Sequence, residues 1–205
     1  MTKKLVILGG ASAFALAAIA SMALAQAKAP AAAPPVAAGP PIPGLCVISM
    51  NQAISSSTVG QYVTSRLNQI NAQVKAELAP ETTAIETEGR ALEAARPTLD
   101  AATFQTRAQA FQTRLNALRQ KADLRQREVQ ATEQKAVNRI AQELDPIARQ
   151  LYQQRRCSVL IDKGSVINAN ADMDMTAQAI AGLNGRIQQF AFDREHLDTA
   201  AAPAR

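Results

Sequence analysis

From Val59 onward the apolar residues fall at Val63, Leu67, Ile70, Val74, Leu78, Ile85 and Leu92. A second series, Phe104, Ala108, Phe111, Leu115, Leu118 and Ala122, alternates four and three apart. It lapses at Arg125 and resumes with Val129, Ala136, Ile140, Leu144, Ile147 and Leu151. A sustained four-three alternation is the seam of a left-handed coiled coil. The stripe breaks at Arg96-Pro97-Thr98-Leu99-Asp100, where Pro97 disfavours a helical Arg96 and Asp100 can cap a new start. The pattern predicts one antiparallel helical hairpin over residues 61–155, with its turn near 96–100 and a first arm of roughly 35 residues, about 50 Å long. Pro80 and Pro146 lie inside the stripes. Each should kink its helix, and Pro80 could equally begin a separate segment.

Short apolar runs of strand length flank the hairpin: Leu45-Cys46-Val47-Ile48-Ser49-Met50 before it and Cys157-Ser158-Val159-Leu160-Ile161-Asp162 after it. Asn51 is placed to cap a helix, Lys163-Gly164 to turn the chain, and Ser165-Val166-Ile167-Asn168 to return as a strand. Asp174 or Thr176 can cap a last helix carrying Ile180 and Leu183 on one face. The fold class is therefore mainly α with a small β core: a long coiled-coil hairpin arm inserted between the strands of a β/α body made of 44–60 and 156–185. Two helices have no third partner along most of their length, and so few strands bury little. Self-association through the apolar strands is the expected remedy.

The ends differ from this body. Met1-Thr2-Lys3-Lys4 precedes an apolar run from Leu5 to Ala25 that closes Ala23-Leu24-Ala25. A basic start, an apolar stretch and a small-residue site read as a secretory signal peptide cleaved after Ala25; the alternative is an uncleaved membrane anchor. The first cysteine lies too far downstream for a lipobox. Residues 26–43 are almost entirely Ala, Pro, Val and Gly, the composition of a disordered tether. Residues 186–205 read as a polar tail.

The formal charge of +5 falls to +3 once Lys3 and Lys4 leave with the signal peptide. A mildly basic secreted chain points to anionic lipid surfaces or acidic unfolded polypeptide, and not to nucleic acid. No tryptophan and 3% aromatic content argue against one large core. One histidine, His196, and two separated cysteines provide no metal site, no cofactor motif appears, and Glu86 and Glu88 do not face one another on a helix. An enzyme reading has no residues to carry it. Cys46 and Cys157 both begin strand-like runs; they could form a disulfide closing about 110 residues, or remain two buried thiols. The second arm is basic (Arg107, Arg114, Arg119, Lys121, Arg125, Arg127, Lys135, Arg139), and the first carries Glu77, Glu81, Glu86, Glu88 and Glu93. Glu77 and Glu81 should lie level with about Arg114 to Lys121. The charges read either as inter-helical ion pairs with a solvated face or as a basic lining that attracts acidic chain segments. Arg125, Arg127, Lys135 and Arg139, with no obvious acidic neighbour on the first arm, are the first expected to serve the second role. Phe104 and Phe111 read first as seam residues, and alternatively as apolar surface offered to a partner chain.

Val47-Ile48-Ser49-Met50-Asn51-Gln52-Ala53-Ile54 with Gly60, and Val159 to Val166 followed by Asn168 to Asn170, Asp174-Met175-Thr176, Ile180 and Leu183, resemble the two ends of the Skp/OmpH family of periplasmic chaperones. The resemblance covers about residues 45–185. It implies a homotrimer whose shared core includes Val47, Ile48, Met50, Val159, Leu160 and Ile161, with helical arms enclosing a cavity. It further implies ATP-independent holding of unfolded outer-membrane proteins in the periplasm. The rivals are an envelope scaffold that docks one folded partner and an adaptor tethered to the inner membrane.

Overall fold

The structure, a computed structural model, describes residues 39–197. The expected signal peptide and most of the Ala/Pro-rich segment lie outside those residues. In chain order the elements are β1 (Leu45–Ile48), α1 (Met50–Ser55), α2 (Thr58–Ala95), α3 (Ala101–Gln154), β2 (Val159–Asp162), two single 3₁₀ turns (Lys163–Ser165 and Ala171–Met173) and α4 (Thr176–Arg186). Among the described residues, no helix is long and apolar enough to cross a membrane.

β1 and β2 pair in parallel, Leu45 opposite Val159 and Ile48 opposite Asp162. Parallel neighbours need a long crossover, and here that crossover is α1, α2 and α3 together. On its other side β1 meets Asp174: Val47 bridges to it, and the Met175 N–H donates to the Val47 carbonyl at 2.9 Å. β1 is thus the central strand, with Val47 and Ile48 almost wholly buried, whereas β2 has an open outer edge and Val159 is half exposed. This arrangement corrects the expected return strand at Ser165–Asn168. Asp162 caps a 3₁₀ turn at Lys163–Ser165 by accepting from the Gly164 N–H at 2.8 Å, the chain does not return along the open edge of β2, and Ile167 stands 99% exposed. Val47 and Ile48 fill this chain's own interior. Met50, Leu160 and Ile161 are half-buried and Val159 is the most available of the six.

The helix ends are fixed by distant side chains. Ser49, not Asn51, caps α1, its hydroxyl accepting from the Gln52 N–H at 3.2 Å. Asp162 accepts from the Met50 and Gly164 N–H groups, and Thr176 accepts from the Ser49 N–H at 2.8 Å. Met175 is the N-cap of α4 without a side-chain bond of its own; Asp174 accepts instead from the Thr176 N–H at 2.9 Å. Burial alone would raise the Asp174 carboxyl, but Lys163 at 2.6 Å and the Thr176 bonds outweigh it and hold it below its ordinary range. The closing Asp162-Lys163-Gly164 and Asp174-Met175-Thr176 runs are therefore a set of caps tying α1, β2 and α4 together.

Asp100 caps α3 through the Thr103 N–H, so the hairpin turn lies at Arg96–Asp100 as the break in the stripe predicts. Both long helices run unbroken through their prolines. Three ion pairs, Glu88–Arg114 at 3.0 Å, Glu81–Lys121 at 2.5 Å and Glu77–Arg125 at 2.7 Å, share one antiparallel register. The main core sits at the base, where Val59, Val63, Ile140, Leu144, Met175, Ala179 and Leu183 are buried together. A satellite of Ile70, Val74 and Val129 lies just above.

At the start of α2, Gly60 is a contact point as well as a helix residue. A Cβ there would stand 1.9 Å from the Ile54 carbonyl oxygen, a backbone atom that cannot swing away. Ser57, fully buried, donates to that same carbonyl at 2.7 Å and accepts from the Gly60 N–H. Gly60→Ala should cost about 1–3 kcal/mol by overpacking, read as a lower urea midpoint at unchanged slope. An unchanged midpoint would show that the close approach is not required.

Candidate functional site

Inward positions on α3 run Phe104, Ala108, Phe111, Leu115, Leu118, Ala122, Arg125, Val129, Thr132 and Ala136. The lapse in the apolar stripe is thus no break in the seam: Arg125 and Thr132 occupy seam positions with polar side chains. Thr132 is buried, its hydroxyl donating to the Glu128 carbonyl at 2.6 Å. Arg125 reaches Glu77 on α2 at 2.7 Å and Glu128 on its own helix at 3.1 Å. Glu128 is only 1% exposed, and a second cation, Arg194 from beyond α4, lies 3.3 Å from it and 2.9 Å from Glu77. Two carboxylates and two guanidiniums close a knot across the hairpin. Hydrogen bonds from Arg125 and then Arg194 hold the Glu77 carboxyl down at about 2, and Glu77 in turn raises Arg125.

Above this knot the hairpin is thin. No residue between Val74 and Glu128 is fully buried, and Leu78, Ile85, Leu92, Phe104, Phe111, Leu115 and Leu118 are only partly covered. Alanines on both helices leave two open clefts. One of about 350 Å³ is lined by Ala84, Ile85, Ala117 and Leu118 and rimmed by Glu81, Glu88, Arg114 and Lys121. The next, about 360 Å³ and nearer the turn, has Ala91, Leu92 and Ala110 within and Glu88, Arg107 and Arg114 at its edge. Phe111 faces Gly89 across the seam, and Arg96 stacks over Phe104 at 5.6 Å. Apolar floor with a charged rim is the chemistry of a surface that takes up apolar chain segments without burying them deeply.

The basic residues expected from sequence divide accordingly. Arg107, Arg114 and Lys121 border the clefts. Among the described residues no ion pair involves Arg107, Arg119 or Arg127. Of the four expected to lack an acidic neighbour on the first arm, Arg125 needs correction, since it pairs with Glu77 of α2 within the knot. Lys135 pairs instead with Glu195 of the tail at 2.8 Å, and Arg139 with Glu143 of its own helix at 2.7 Å. Of the four, Arg127 has a buried guanidinium nitrogen, Nε, without a hydrogen-bond partner among the described residues. Among these partners Glu195 alone comes from the tail, which also sends Arg194 to Glu77 and Glu128, and the placement of both depends on how the tail docks. Cys46 and Cys157 are joined in the structure, with Cα atoms 5.8 Å apart and a sequence separation of 111.

A sequence model of the family Outer membrane protein (OmpH-like) matches residues 44–183. The chain belongs to the OmpH-like family. A protein of Caulobacter crescentus CB15, whose crystal structure was solved as a candidate OmpH-like outer membrane chaperone, is 45% identical; the alignment covers 78% of this chain and 95% of that one, with a TM-score of 0.67. No curated protein gives a match. For an OmpH-like chain, the resemblance at residues 45–185 was carried by the β1–α1 start and the capping runs after β2, and those are the segments that build the body here.

The Glu77 knot gives a pH dependence. A carboxyl held at about 2 against an ordinary 4.5 contributes stability that is full above 4.5 and is lost as pH falls towards 2. Discounted for its partial exposure, the contribution is about 1–2 kcal/mol. Glu77→Gln should lower urea stability by that amount at neutral pH and flatten the loss on acidification. A parallel loss in both proteins would remove Glu77 from the account.

Proposed function

We propose that this OmpH-like protein is an ATP-independent holding chaperone of the periplasm that keeps unfolded outer-membrane proteins soluble between its helical arms. The observation that carries the reading is the unburied seam from Val74 to Glu128, with apolar clefts bordered by charge on both helices. A folded partner would call for one continuous complementary face; scattered shallow clefts suit many weak contacts that exchange quickly. The printed description of the Caulobacter crescentus relative as an outer membrane chaperone points the same way.

The arms enclose a client only when several chains assemble, and we take the assembly to be a homotrimer. Exposed Val159 on the open edge of β2, with Ile42 and Ile167 nearby in sequence to the strands, supports self-association through the body. Transport across the inner membrane would be directed by residues 1–25, leaving a mature chain that begins at Gln26. Arg107 and Arg119, cationic and unpaired among the described residues, are the side chains we assign to electrostatic capture of acidic client segments, with Arg114 and Lys121 holding the cleft edges.

A urea-unfolded outer-membrane barrel protein diluted with the mature chain tests this. Aggregation should be suppressed at about one trimer per client, and less so at high salt because exposed charges are screened. Arg107→Glu with Arg119→Glu should need several-fold more protein for equal suppression. No suppression at several-fold excess of folded oligomer would sink the holding role and favour a scaffold that docks one native partner.

A further inference from the structure

The segment after α4 lies beyond the family-matched region 44–183 and has no regular structure, yet nearly every residue of it is held. From Phe190 it alternates at the period of an extended chain: Phe190, Phe192 and Arg194 are partly buried, Ala191 and Asp193 exposed. It climbs from the body along both long helices. Phe192 packs on the Ile70, Val74 and Val129 cluster and edge-on to Tyr62, with Phe190 5.4 Å away. Asp193 then pairs with Arg66 at 2.6 Å, Arg194 with Glu77 and Glu128, and Glu195 with Lys135. Two backbone amides donate to side chains, Glu195 to Thr132 and Leu197 to Glu128.

These are the contacts of a bound peptide. An aromatic pair spaced two apart sits on an apolar seat, followed by acid, base and acid, each opposite a complementary charge. The seat is wider than its occupant. A cleft of about 330 Å³ lies between the tail and Thr132, Lys135, Ala136 and Arg139, and another of about 270 Å³ lies on the Tyr62, Arg66 and Gln69 side. We propose that the trough between the lower parts of α2 and α3 is a binding groove for extended polypeptide of this aromatic-and-alternating-charge chemistry, occupied in cis by residues 187–197 and opened to a client segment when the tail is displaced. The inference rests on the holding role and adds where a client segment docks and what guards the place. Two of the tail's ion pairs, Asp193–Arg66 and Glu195–Lys135, each have an exposed partner and are individually weak, while the Arg194 pairs are mostly covered. What keeps it seated is the tether: three residues separate α4 from Phe190, and so short a link gives an effective concentration on the order of millimolar. A dilute peptide loses to that, whereas a client already confined between the arms competes on equal terms.

The test uses the full mature chain and, as probe, a fluorescently labelled synthetic peptide of residues 187–197 followed by anisotropy. Phe190→Ser with Phe192→Ser loosens the tail and leaves the groove intact, so it should bind the probe at least about tenfold more tightly than the unaltered chain. Adding Lys135→Glu should reverse most of that gain. If the serine variant fails to fold, Asp193→Lys with Glu195→Lys releases the tail by charge and provides the same comparison. Equal probe binding with and without the tail released, or none in either, overturns the proposal. Urea-unfolded barrel protein should then displace the probe from the released variant. Probe binding without displacement overturns the shared groove while leaving the aggregation result, read separately, to judge the holding role.

Discussion

Everything in this chain depends on one meeting point, where β1 and β2 pair side by side after an excursion of more than a hundred residues. Two helices as long as α2 and α3 cannot hold their own ends together, because loop closure of that length is opposed by chain entropy. Four parallel register pairs, the Cys46–Cys157 bond beside them and the caps from Asp162 and Thr176 bring the two ends into one small body. β1 is covered on both sides and supplies the centre of that body, which leaves β2 as the edge. The same division leaves Val159 on β2 uncovered, with Ile167 after it and Ile42 ahead of β1 also exposed.

Away from the body, stability gives way to access. The seam is buried up to Val74 on α2 and from Glu128 on α3, and only half-covered beyond. Ion pairs in one register keep the helices aligned there without adding thickness, and facing alanines leave clefts that a third layer would have filled. A thin arm is poor at folding alone and leaves apolar surface open along its seam. The boundary between the two regimes is marked by the knot of Glu77, Arg125, Glu128 and Arg194, to which the tail contributes one of the four charges.

Much of this could be read from the residues. The four-three stripe located both long helices, and Pro97 with Asp100 located the turn, because coiled-coil spacing and capping are local chemistry. What escaped was set by tertiary pairing. Arg125 looked like a lapse because only apolar residues were counted, whereas a seam accepts a cation when an acid lies opposite. The run Ser165–Asn168 has the composition of a strand, but the 3₁₀ turn that Asp162 caps at Lys163–Ser165 carries the chain off the edge of β2 before it can pair. The tail looked merely polar because its charges hide a period-two pattern starting at Phe190 and Phe192. That signal was present in the sequence, and its docking trough was not, since it forms only once α2 and α3 are aligned.

The central claim is that closure at the base holds the rest in place, and the most direct measurement is urea unfolding of the mature chain with its cysteines oxidised and reduced. Bridging a loop of 111 residues should make the oxidised form more stable by about 4–5 kcal/mol in the chain-entropy account. Thiol labelling of freshly purified protein should find neither cysteine free. Two free thiols, or identical unfolding midpoints before and after reduction, would contradict the claim and leave the strand pairing and the caps to close the hairpin unaided.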